Sequence, residues 1–149
     1  KAIKTEEAWF KAHPGAGQFV NWPLIGDVTN PLDIPGTIRK EMAETIERWQ
    51  IDKLHSRVPD IHNYLITKTA IPTVVYIHCE AGVDRTGELS GSYYMEFLKW
   101  SYQKSILYDY SVEPRPIEKD MQHGVDWYCW YLHYKMGFPS DCKFVPSSL

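Results

Sequence analysis

The run Thr73-Val74-Val75-Tyr76-Ile77 leads directly into His78-Cys79-Glu80-Ala81-Gly82-Val83-Asp84-Arg85-Thr86-Gly87. Its β-branched and aromatic residues favour a strand, and an apolar run without alternation reads as one buried on both faces of a sheet. Past Thr86 the period changes: Leu89, Tyr93, Phe97 and Trp100 recur at three and four, which predicts a helix from about Thr86 to Tyr102. A buried strand, a short loop and a helix in succession point to an α/β chain.

The other periodic stretches fit that class. Ile34, Ile38, Met42, Ile46 and Trp49 predict a helix from Pro35, suited to a first helical turn, to about Gln50. A poorer helix is expected from about Val58 to Lys68. A final one runs from about Ile117 to Met136, on Ile117, Met121, Val125, Tyr128, Leu132 and Met136, with Gly137 as its stop. Gln18-Phe19-Val20-Asn21-Trp22-Pro23 reads as a short strand ended by proline, and Leu24 to Gly36 as a loop broken by Gly, Asn and Pro. Most aromatic residues fall in the last two helices, where core packing explains them. The expected fold is a central, mostly parallel sheet flanked by helices, in one domain over residues 1–149. One clear strand is few for a sheet; either further strands are short, or part of the N-terminal region is missing from the sequence.

Charge and cysteine usage narrow the classes of function. A net charge of -3 offers no basic footprint for nucleic acid. The longest uncharged apolar-rich run, Thr69 to Ile77, is too short to cross a bilayer. Three cysteines, Cys79, Cys129 and Cys142, make no disulfide framework, which favours a reducing, cytoplasmic setting. Pairing of Cys129 with Cys142 in an oxidising compartment stays open.

The loop after the strand has a definite chemistry. If residues 80 to 85 curl above the strand end, their N–H groups and the following helix N-terminus converge on one point and form an anion site. Gly82 permits the close approach, and the planar fork of Arg85 can grip two phosphate oxygens. A cysteine at the start of such a loop lies in the same field, which favours its thiolate. Cys79 is then a nucleophile beneath a bound phosphate, with Glu80, Ala81, Gly82, Val83, Asp84 and Arg85 as the cradle. In-line attack would give a thiophosphoryl enzyme that water hydrolyses, with positive charge supplied by Arg85 and the amides and no metal or cofactor required.

His78, Cys79, Gly82, Arg85 and Thr86 fill every fixed position of H-C-x-x-G-x-x-R-[ST]. This resembles the signature of the cysteine-dependent protein tyrosine phosphatase superfamily, in its dual-specificity-like form. The resemblance implies that His78 holds the loop in shape and supports the thiolate, and that Thr86 lends its hydroxyl to the departing thiolate. It also implies a general acid for the leaving oxygen, usually an aspartate on a mobile loop. Trp22, Pro23 and Gly26 match the Trp-Pro-Asp-x-Gly loop of the tyrosine-specific branch, but Leu24 stands at the position of the acid.

Three aspartates are candidates in its place. Asp27 follows on the same segment, Asp33 precedes the helix at Pro35 and suits a cap, and Asp84 lies within the signature loop, as in myotubularin-like lipid phosphatases. Asp60 is expected at the surface. Gln122 sits where the tyrosine-specific branch has a water-placing glutamine, although surface exposure explains it better. Arg115, between prolines, either lines the pocket or lies in an exposed turn.

The leading expectation is a phosphomonoesterase acting on phosphotyrosine, phosphoserine or phosphothreonine in proteins. No Lys occupies the variable loop positions, which disfavours a highly phosphorylated ring. The Cys79-Glu80-Ala81-Gly82-Val83 stretch nevertheless resembles phytase-like members, so inositol phosphates and phosphoinositides are the alternative. A phosphate-binding pseudophosphatase is the lower alternative, and a rhodanese-like sulfur-transfer domain does not call for this Gly and Arg spacing. Neither nucleic acid nor a membrane span is expected, and the oligomeric state is open.

Overall fold

Helix α6 (Lys119–Tyr134) is the axis on which the other elements are packed. The computed structural model describes residues 2–112, 115–139 and 141–145. In chain order its helices are α1 (Ala2–Ala12), α2 (Gly36–Glu44), α3 (Leu54–Ile66), α4 (Asp84–Glu96), α5 (Tyr102–Val112) and α6, with single 3-10 turns at Pro31–Asp33 and Ile46–Arg48. Helix α4 lies along α6 and is flanked by α3 and α5, and α2 covers another side of α6.

No strand forms among the described residues, so the expected α/β fold with a central, mostly parallel sheet is corrected to an all-helical arrangement. The reason lies in the segment itself. Residues 73–79 run without regular structure, with Val75 and Ile77 packed against the helical core while Val74 and Tyr76 are 85% and 82% exposed. One face is therefore covered by helices and the other is open. No described segment supplies the neighbour that a strand needs for its ladder of N–H and C=O groups. The stretch Gln18 to Pro23 likewise forms no strand.

The helices follow the apolar spacing with shifted ends. The long helix expected from Pro35 to Gln50 breaks after Glu44 into the 3-10 turn, and α3 begins four residues ahead of Val58. The helix expected to reach Tyr102 ends at Glu96, and a separate α5 follows. Helix α6 closes as expected: beyond it Phe138 N–H reaches the Leu132 carbonyl at 3.0 Å, around Gly137. Helix α1 carries too little apolar pattern to be read, and it has no buried residue.

The core is rich in aromatics, with Trp127, Tyr102 and Tyr128 fully buried and Trp49 edge-on to Trp127 at 5.1 Å. It also contains carboxyl groups. Tyr102 donates to Asp126 and Tyr128 to Glu96. Burying a single apolar side chain returns about 1.5–3 kcal/mol. An unpaired buried carboxylate costs several. Burial pushes Asp126 up to about 7 and raises Glu96, and the tyrosine hydroxyl bonded to each opposes the rise. Cys129 and Cys142 are joined by a disulfide that ties the segment beyond α6 back to it. The open alternative for this pair is thus the one observed, and cysteine usage no longer argues for a reducing compartment. No helix of the described residues is long and apolar enough to cross a membrane.

Candidate active site

The site is built at the N-terminus of α4, where residues 79–83 turn out of the irregular segment and Val83 caps the helix. Gly82 has φ +74, a left-handed conformation that a side chain would strain, with open space where a Cβ would sit. That turn aims amides back at the cysteine. Burial pushes the Cys79 thiol up. The Thr86 hydroxyl and the N–H groups of Thr86, Gly82 and Ala81 outweigh it and bring the thiol down to about 7. The Thr86 hydroxyl is buried without a hydrogen-bond partner among the described residues, and it is one of the groups that favour the thiolate.

Arg85, exposed one residue before Thr86, donates through Nε to the Leu24 carbonyl at 3.0 Å. Its Nη groups make no hydrogen bond among the described residues. The contact joins the anion loop to the Trp22-to-Asp27 segment, which sequence spacing alone does not bring together with it.

That second segment is held along its whole length. Arg57 of α3 donates to the Pro23 carbonyl at 2.9 Å, and Leu24 is buried. The carboxylate of Asp52 accepts from Ile25 N–H at 3.0 Å and from Gly26 N–H at 2.6 Å. Asp27 N–H donates to the Asp120 carbonyl at 2.8 Å, and His123 Nδ1 donates to the Asp27 carbonyl at 3.0 Å. Gly26 has φ +72, and a Cβ there would lie 2.5 Å from the Asp120 backbone, so only glycine fits.

The Asp27 carboxyl is pushed up to about 6, first by burial and then by the neighbouring Asp52; Asp120 adds to the rise and the Gln50 amide opposes it. Behind it, Glu88 of α4 is fully buried against Gly124 of α6. Burial first, and then Asp52 and Asp27, raise Glu88 well above its ordinary value, and Arg57 opposes the rise.

The other candidates take different places. Asp84 forms a two-pronged ion pair with Arg115, both contacts at 2.7 Å, and accepts the Glu118 N–H at the start of α6 at 2.8 Å. Arg115 first, and the Glu118 N–H against the cost of burial, hold the Asp84 carboxyl below its usual range. Arg115 lies exposed, near enough to Cys79 to feel its charge. Asp33 ends the Pro31–Asp33 turn, which Asn30 caps by accepting the Leu32 N–H at 2.8 Å; the cap expected of Asp33 on α2 is not made, since the N-cap there is Pro35 with no side-chain bond. Asp60 is exposed, as expected. Gln122 is half-buried and accepts the Tyr110 hydroxyl at 2.8 Å rather than facing solvent.

His78 lies beside the loop, with Nδ1 3.4 Å from the Cys79 carbonyl. It is turned outward, with Nε2 at 2.9 Å from Glu6 of α1 and its ring stacked on Tyr76 at 5.2 Å. Glu80 and Ala81 are exposed at the rim and Val83 is buried.

Sequence reading missed Asp52, Glu88 and Arg57. The signal for Glu88 was present, since it lies one helical turn after Asp84 and faces the interior. For Asp52 and Arg57 no local pattern exists, because their partners are 26 and 34 residues away. Among the described residues no cluster of three His, Cys, Asp or Glu side chains is arranged to hold a metal ion. No protein-family model, curated protein or solved structure matches the chain.

Proposed function

We propose that the chain is a cysteine-dependent phosphomonoesterase acting on phosphorylated side chains of proteins. The observation that carries the reading is the turn at Gly82, with φ +74, that leads from Cys79 into the N-terminus of α4, where the Ala81, Gly82 and Thr86 N–H groups favour the thiolate. The resemblance to the tyrosine phosphatase superfamily rests on this signature loop.

In the proposed reaction the Cys79 thiolate attacks phosphorus in line, with the phosphate oxygens on the loop amides and the free Nη groups of Arg85. The phosphorus–oxygen bond to the leaving group breaks, and Asp27 gives its proton to that oxygen. Water then attacks the thiophosphoryl group, Asp27 takes a proton from it, and the sulfur leaves as a thiolate bonded to the Thr86 hydroxyl. Asp27 is favoured over Asp84 because burial and Asp52 raise its carboxyl to about 6, whereas Asp84 is committed to Arg115.

Cys79 is only half-buried and its neighbours Glu80, Ala81 and Arg85 are exposed. An open loop accepts a phosphate on a protruding side chain without a deep walled slot, which supports dual specificity over phosphotyrosine alone. Arg115 is the additional cation beside the loop, and its pairing with Asp84 leaves little charge for a highly phosphorylated inositol ring. The proposal carries no compartment, because the Cys129–Cys142 disulfide removes the basis of the cytoplasmic expectation.

The test is phosphate release from 4-nitrophenyl phosphate and from phosphotyrosine and phosphothreonine peptides. The expected result is turnover that falls by roughly four orders of magnitude or more in Cys79→Ser. Orthophosphate binding without release from the unaltered protein would make the chain a phosphate-binding module instead.

A further inference from the structure

We infer that Asp52 is a positioning residue for phosphoryl transfer, holding the segment that carries Asp27 against the anion loop; this rests on the reading of the site as a cysteine phosphomonoesterase. The geometry is specific. One carboxylate, buried at 1% exposure at the entry to α3, takes the consecutive N–H groups of Ile25 and Gly26, immediately before Asp27. The carbonyl just before them, that of Leu24, is the one that holds Arg85 Nε. Phosphate clamp and candidate acid are thus joined through four consecutive residues whose shape Asp52 sets.

Asp52 has a second effect through charge. The groups facing Asp27 are Asp52 and Gln50 ahead of α3, Glu88 on α4, and Asp120 with the His123 ring on α6. Of the charged groups among them, Asp52 contributes most to raising the Asp27 carboxyl, which keeps a transferable proton at higher pH. An asparagine at 52 could accept an N–H through its oxygen, but would lose the second acceptor and the charge.

The experiment compares kcat/KM of the whole protein on two aryl phosphates. Phenyl phosphate has a basic leaving oxygen that needs a proton, and 2,4-dinitrophenyl phosphate does not. In Asp52→Asn the loss on phenyl phosphate should exceed the loss on the dinitrophenyl ester by about tenfold or more, a share of the usual general-acid contribution. Because Asp27 titrates below Cys79, the acid limb of the profile follows Asp27, and in this variant it should move to lower pH. Asp52→Glu keeps the charge and displaces it by one methylene, so it should lose the phenyl ester selectively while the acid limb stays in place. It also supplies the answer if the asparagine variant does not fold.

Equal losses on both esters in the variants that fold, with no movement of the limb, would make Asp52 a purely structural residue and overturn the inference alone. An unaltered protein inactive on both esters would overturn the phosphomonoesterase reading beneath it.

Discussion

Two irregular segments deliver the two halves of the candidate site, and they are held very differently. Residues 73–79, which carry Cys79 to the head of α4, make no backbone hydrogen bond among the described residues and leave Val74 and Tyr76 open. Residues 22–27, which carry Asp27, are fixed by Asp52, Arg57, Arg85, Asp120 and His123. The family resemblance implies a fixed nucleophile and a mobile acid. Here the acid segment is the fixed one, and the nucleophile takes its order from the helix that follows it rather than from a strand that precedes it. Rigidity has to come from whatever bonds the backbone makes, since an extended chain without neighbours has none of its own.

The comparison can be broken at its strongest point first. Gly26→Ala puts a Cβ 2.5 Å from the Asp120 backbone in a residue with φ +72. It should cost about 1–3 kcal/mol in chemical unfolding. It should also lower kcat/KM on phenyl phosphate by about ten- to a hundredfold. Wild-type stability and activity in this variant would mean that the segment adapts and is not pinned.

A pH profile comes next in size. Cys79 must be ionised, so activity rises as pH climbs through about 7, and Asp27 must be protonated, so activity falls as pH rises through about 6. The two limbs overlap in the wrong order for full occupancy, which yields a narrow bell centred at about 6.5. Asp27→Asn should remove the alkaline limb and leave the acid one. An alkaline limb that survives would return the role of acid to another group.

Stability should follow the same carboxyls. Asp27 and Asp126 are raised to about 6 and about 7 in the folded chain, so it binds protons more tightly than the unfolded one. Their contribution is complete below the ordinary carboxyl range, near pH 4, and is lost as pH rises through about 6 and about 7. Thermal unfolding should therefore come earlier at pH 8 than at pH 5. A later transition at pH 8 would show that other groups control the balance.

The smallest effect is expected on the open segment. Tyr76→Ser, on its outward face, should change stability by about 0.5 kcal/mol or less. A larger loss would show that this face is covered in solution and would erase the contrast between the segments.

What could be read ahead of the structure divides along range. The anion loop was legible because its parts lie within eight residues and act through their own backbone: Cys79, Gly82 at positive φ, and Thr86 opening α4. The face of α6 was legible because a period of three and four states which side is buried, and Met121, Val125, Tyr128 and Leu132 all lie inside; in α2 the same period includes Ile38, which is 50% exposed. Helix α5 was not read: the expected helix runs on to Tyr102, past the left-handed turn at Lys99 (φ 57) that no glycine announces, and residues 103–112 carry no expected element. The strand was misread because β-branched composition reports a preference for extended backbone and says nothing about whether a neighbour exists.

By itself, then, the sequence determined a thiol, a guanidinium and a glycine turn on one short loop, all local consequences of residue order. Only the tertiary structure decided that no sheet forms among the described residues, that the outer nitrogen of His78 reaches Glu6, and that Asp52 holds Ile25 and Gly26 just ahead of Asp27. Each of these depends on which distant group reaches an unsatisfied N–H, carbonyl or buried carboxyl first. That competition is settled by packing, and no local spacing encodes it.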